Sequence, residues 1–95
     1  MHKEITGCFA YSIAGHDKGQ TYVIINSDDE YVYVCDGKNR LVDAPKKKKR
    51  KHIQITKRKD AGIESKLMSG TPLINEDIKR AIKLIKAENS IKEET

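Results

Sequence analysis

The sequence predicts a mainly β fold: a small closed or nearly closed barrel over residues 1–58, then one or two helices over residues 59–95. Three observations carry this. Short runs of alternating apolar residues recur through the first part. The segments between them are rich in Gly, Asp and Asn, the residues of tight turns. After Arg58 the apolar period changes from that of a strand to that of a helix. Strands so closely spaced suit a barrel, and closure removes exposed strand edges.

Residues 5–13 read ITGCFAYSI. As a strand they place Ile5, Phe9, Tyr11 and Ile13 on one side and Thr6, Cys8, Ala10 and Ser12 on the other. Apolar against small suits a curved strand. Gly7 interrupts the apolar side and marks a bend or a close backbone approach. The loop AGHDKGQ follows, with two glycines bracketing His16, Asp17 and Lys18. Further strands are expected over TYVII (21–25), YVYVC (31–35), residues 40–43 and HIQIT (52–56). Val32 and Val34 share one face, Tyr31, Tyr33 and Cys35 the other, and Ile53 and Ile55 point one way. Asp36-Gly37 in DGKN favours a tight hairpin.

In the second part, Ile63, Leu67 and Met68 fall at helical spacing between Asp60, a candidate N-cap, and Gly70, a candidate C-cap. Gly62 weakens that helix by about 1 kcal/mol relative to alanine. Thr71-Pro72 breaks the chain. Ile74, Ile78, Ala81, Ile82 and Ile85 then form one apolar stripe. Asn75 is the expected N-cap, Glu76 and Asp77 suit the positive end of the helix dipole, and Glu76 is expected to pair with Arg80. Fraying is expected from about Asn89. The stripe needs a partner, either the barrel or another molecule.

Apolar residues make up 37% of the chain and charged residues 35%, which is lean for a globular core. The net charge is +5 and unevenly spread. Residues 1–58 carry 12 basic and 7 acidic side chains, whereas residues 59–95 carry seven of each. A polyanion, RNA or DNA before membrane, is the natural partner of such a surface. Cys8 and Cys35 are far apart and read as reduced, small apolar fillers in a cytoplasmic protein. No apolar run reaches membrane-spanning length, and MHKEITG lacks the apolar stretch of a signal peptide.

Six of the seven residues in PKKKKRK, 45–51, are basic. Strand-like LVDA precedes the run and HIQIT follows it, so the run is a tethered loop or strand extension rather than a tail. Like charges repel, so it is expected to be extended and mobile until an anion arrives. A clamp on phosphates gives affinity without sequence choice, and five contacts imply a log K against log salt slope of about 3.5 to 4.5. On this reading glutamine at Lys46–Lys49 weakens RNA binding and leaves the fold intact. The competing readings are a solvated charge run and a nuclear-import signal.

The segment GCFAYSIAGHDKGQTYVII resembles a KOW motif, with Gly15, Lys18 and Gly19 as the matching loop residues, flanked by Ala14 and Asp17. With VYVCDGKNR, the lysine run and KHIQ, residues 6–55 resemble small bacterial KOW-domain proteins, which are similar to KOW-containing proteins of the archaeal and eukaryotic large ribosomal subunit. The resemblance implies an SH3-like β-barrel that binds RNA, usually ribosomal RNA, in a ribosome-associated role. KOW-bearing transcription elongation factors carry an additional N-terminal domain. Here the sequence starts directly at the barrel, which argues against that role.

The residues expected to contact RNA are Gly15, His16, Lys18, Gly19, Lys38, Arg40, Lys46, Lys47, Lys48, Lys49, Arg50 and Lys51. The glycine loop lets backbone N–H groups approach a phosphate, and Lys18 adds charge there. His16 is a candidate to touch RNA or an ordinary exposed loop residue. Asp17 is expected to bind its own loop in an Asx-type turn. Tyr11, Tyr22, Tyr31 and Tyr33 are candidates to stack on bases or to fill the core. No catalytic motif, metal-ligand spacing or cofactor site is expected, and no small-molecule substrate. The alternative is a protein-interaction module that docks the isoleucine stripe on ribosomal or transcription machinery.

Overall fold

Five antiparallel strands form one sheet in the computed structural model, which describes residues 5–94, with side chains through Glu88. β1 (Cys8–Ser12), β2 (Thr21–Ser27), β3 (Tyr31–Cys35), β4 (Lys46–Lys49) and β5 (Ile53–Lys59) lie in the order β4-β3-β2-β1-β5. Helices α1 (Ala61–Ser69) and α2 (Asn75–Glu94) follow. The expected fraying from Asn89 concerns residues whose side chains lie outside the described ones.

The fourth strand is not where the sequence suggests. Residues 40–43 contribute only an isolated bridge, Leu41 to Ala44, and the strand is the lysine run itself. It pairs with β3 in the register Val34–Lys46, Val32–Lys48, Tyr33–Lys47 and Tyr31–Lys49. The run is therefore an ordered edge strand, not a mobile loop. Pleating explains how four lysines tolerate this: alternate side chains go to opposite faces, which separates neighbouring charges. Lysine-rich edges also discourage pairing with other chains.

The tight hairpin expected at DGKN is replaced by a longer connection. Asp36 Oδ1 accepts from the N–H groups of Lys38, Asn39 and Arg40 at 2.9, 2.8 and 2.9 Å. Gly37 has φ +78°, and a Cβ there would lie 2.5 Å from the Asn75 carbonyl oxygen. Both backbone conformation and space demand glycine. Gly37→Ala is expected to cost about 2–3 kcal/mol, measured by urea unfolding.

The sheet is strongly curled. In a flat five-stranded sheet β4 and β5 would lie roughly 19 Å apart, four inter-strand spacings. The chain crosses from Lys49 to Ile53 through a single 3₁₀ turn, Arg50–His52. Such a turn advances only about 2 Å per residue, so the two edges must meet at that corner. Among the described residues no ladder joins β4 to β5.

The concave face of the curl is buried, and the other face is buried where the helices cover it. Cys8, Ala10, Tyr22, Ile24, Val32, Val34 and Ile53 fill the concave side. The small side of β1 faces inward, because a tight curl has little room there. Phe9, Val23 and Cys35 on the other face pack against Ile63 of α1 and Ile78, Ala81, Ile82 and Ile85 of α2. The isoleucine stripe is thus covered by the chain's own sheet, and sheet and helices share the core on that face. Ile74, half exposed at 51%, is the member left out, and Leu67 and Met68 are exposed too. Both cysteines are buried thiols. Burial pushes Cys35 up to about 12 and raises Cys8.

The helix ends follow the sequence in part. Asp60 caps α1 through the Ile63 N–H at 3.0 Å, and Gly70, φ +74°, ends it. Asn75 does not cap α2: its Oδ1 accepts from the Val42 N–H at 2.9 Å and ties the 36–45 connection to the helix. Asp77 takes the capping role, accepting from the Ile74 N–H at 3.0 Å and pairing with Lys66 at 2.7 Å. Glu76 pairs with Lys79, not Arg80, and Arg80 reaches Asp60. Arg58 of β5 and Glu88 clamp the far part of α2 at 2.7 Å.

Candidate nucleic-acid interface

The two faces of β4 put its four lysines in different environments. Lys46 and Lys48 share the concave face with Val34 and Val32. A cation there needs a partner, since a desolvated ammonium costs several kcal/mol. Asp17 supplies it from the β1–β2 loop. Its Oδ1 lies 2.6 Å from Lys48 Nζ and its Oδ2 2.9 Å from Lys46 Nζ. Ser12 Oγ donates to Oδ1 at 2.9 Å and the Tyr22 hydroxyl to Oδ2 at 2.8 Å. Lys48 also donates to the Ala14 carbonyl at 3.2 Å. The Lys48 side chain is only 8% exposed and that of Asp17 13%.

Burial raises the Asp17 carboxyl, but bonds from Lys48, Lys46, Tyr22 and Ser12 outweigh it and hold Asp17 far below the usual carboxylate range. The same burial and the bond to Asp17 push the Tyr22 phenol well above its ordinary value. Asp17 is therefore no Asx turn residue. It is the centre of a knot that joins β1, β2 and β4.

That knot changes what the expected RNA-contacting residues can offer. Lys46 and Lys48 are bound to Asp17. Arg50 is also engaged, its Nε donating to the Asp28 carbonyl at 2.9 Å. Lys47, Lys49 and Lys51 are exposed. Replacing all of Lys46–Lys49 would damage the fold, because two of the four hold it together.

In the β1–β2 loop, Gly15 and Gly19 take positive φ. The N–H groups of Lys18, Gly19 and Gln20 donate to the carbonyls of Gly15, Ser12 and Asp17 at 3.2, 2.8 and 2.9 Å. Those three N–H groups close the turn and are not open to a phosphate. The side chains of His16 and Lys18 are exposed. Lys38 and Arg40 are exposed on the Asp36 connection, which meets the first turn of α2.

The other face of β3 and β4 carries Tyr31, Tyr33, Lys47 and Lys49 side by side. Lys47 Nζ sits 4.2 Å from the centre of the Tyr31 ring, within cation–π range. The Tyr33 hydroxyl donates to Asp28 Oδ2 at 3.2 Å. Backbone bonds from Tyr31 and Glu30 hold the Asp28 carboxyl below its ordinary value. Tyr22, by contrast, is a core residue, and Tyr11 is half-buried. Sequence alternation separated the tyrosines from Val32 and Val34 but gave no sign of which face was open. The face can hold a base against a ring and a phosphate against a lysine.

No protein-family model matches this chain, and no curated protein matches it.

Proposed function

We propose that this chain is a non-catalytic RNA-binding protein, an SH3-like barrel of the KOW type that binds ribosomal RNA of the large subunit or acts in its assembly. The observation that carries the reading is the aromatic and basic face of β3–β4. Two half-buried rings beside two exposed ammonium groups match the needs of an unpaired nucleotide segment: stacking for bases and charge for the backbone. The strand order supports the fold assignment, since β5 returns beside β1 and one turn brings the sheet's edges together.

Docking through α2 on a protein is the weaker reading, because its isoleucine stripe already covers the sheet. The ribosomal assignment is tested by sedimentation of tagged protein from lysate on sucrose gradients. The expected result is migration with the large subunit at low salt, lost at high salt and after ribonuclease. Protein that stays at the top at low salt rejects the ribosomal part of the proposal.

A further inference from the structure

We infer that the groove between the Asp36 connection and α2 is a second site for the RNA phosphate backbone. The inference rests on the RNA-binding reading above and adds a place where the ligand is held. The groove encloses about 450 Å³. Four cations line it: Lys38 from the connection and Lys79, Lys83 and Lys86 from α2.

The three helix lysines follow Ile78, Ile82 and Ile85 in sequence. Each therefore lies about 100° around the helix from an isoleucine of the buried stripe. Docking the stripe on the sheet aims the lysine row along one side of the contact, toward the connection. Gly37 makes this close approach possible, since its backbone lies against Asn75 and Lys79.

Little neutralises these charges. Lys79 pairs with exposed Glu76 at 3.1 Å, a weak contact. Lys38, Lys83 and Lys86 have no ion pair among the described residues. Asp36 also lines the groove and stays ionised, its Oδ1 accepting from three backbone N–H groups, so it offsets one of the four charges and leaves the lining with an excess of three. The lysines outnumber the single carboxylate and repel one another, and a polyanion relieves that by releasing counterions. The row from Lys79 to Lys86 runs about 10 Å along the helix. At the roughly 3.4 Å axial charge spacing of one duplex strand, that covers about three phosphate intervals. The amides of Gln20 and Asn39 add neutral donors at the same wall.

The test uses the full chain and a short mixed-sequence single-stranded RNA, with Kd measured by fluorescence anisotropy across a salt series. The triple variant Lys79→Gln, Lys83→Gln, Lys86→Gln should weaken binding by at least about tenfold at low salt and lower the salt slope by about 2. Glutamine keeps helix propensity, so the melting temperature should hold. Lys83→Glu should weaken binding several-fold more than Lys57→Glu, which makes the same charge change on β5 outside the groove. Wild-type binding with an unchanged slope in the triple variant overturns the groove and leaves the β3–β4 reading standing. Equal losses in the two single variants also overturn it, as a general charge effect. No binding by the wild type removes both readings.

Discussion

Asp17→Asn should lower the stability of the fold by about 3 kcal/mol at neutral pH, read by urea unfolding. Nothing about an aspartate in a glycine-rich loop suggests so large an effect. The cost comes from what is left behind. Lys48, 8% exposed, and Lys46 would face the concave side with no counter-charge, and the Ser12 and Tyr22 hydroxyls would lose their ionised acceptor. Removing charge on both sides, as in Asp17→Asn with Lys48→Met, should recover part of the loss, because the unpaired ammonium is gone. Equal stability of Asp17→Asn and wild type would remove the knot as a structural element.

The pH dependence follows from the same geometry. The folded Asp17 titrates far below its unfolded value of about 3.9. Its contribution is present above that value and is lost as pH falls from about 5 downward, when the unfolded chain takes up the proton first. The gap between wild type and Asp17→Asn should therefore narrow steadily in acid. Asp36 and Asp77 are also held low and steepen the acid limb of both proteins. Tyr22 acts at the other end. Its folded value lies above the ordinary one near 10, so its contribution holds below about pH 10 and is lost as pH rises further.

The double variant Tyr31→Ala, Tyr33→Ala should lose on the order of a hundredfold in affinity for unpaired RNA, at about 1–3 kcal/mol for each stacked base. The salt slope should not move, because no charge is removed. Lys47→Gln with Lys49→Gln should behave in the opposite way, lowering the slope by about 1.4 for single-stranded RNA. The two variants thus separate stacking from phosphate contact on one face. Tyr33→Phe gives up only the bond to Asp28 and should bind like wild type. Both tyrosines are half-buried on the open face, so the alanine variants should keep the fold, a point checked by thermal melting. Unchanged affinity of the double alanine variant would strip this face of its role.

Much of the architecture was legible because it depends on local periodicity. Alternation placed Val32 and Val34 opposite Tyr31 and Tyr33, and the Asp60 and Gly70 caps bounded α1 to the residue. The fourth strand was legible only as one of two alternatives, a loop or a strand extension. Its side chains are all lysine, so no apolar alternation marks it, and its ladder exists only because β3 offers an open edge. The 40–43 segment looked more like a strand by composition but lost the competition to a partner in space.

The candidate site was legible as charge and illegible as geometry. Composition placed the basic excess in residues 1–58 and so pointed to the run at 45–51. The balance of residues 59–95 hid Lys79, Lys83 and Lys86, since acids elsewhere in that part cancel their count but not their local field. Sequence alone determined that this chain carries short strands, then one or two helices, and a concentrated positive charge. These follow from side-chain period, capping chemistry and composition, all properties of neighbours along the chain. Tertiary structure alone decided which lysines are structural and which are open, and which tyrosines face outward. Those outcomes depend on residues such as Asp17 and Lys48, thirty-one positions apart, meeting where water is scarce.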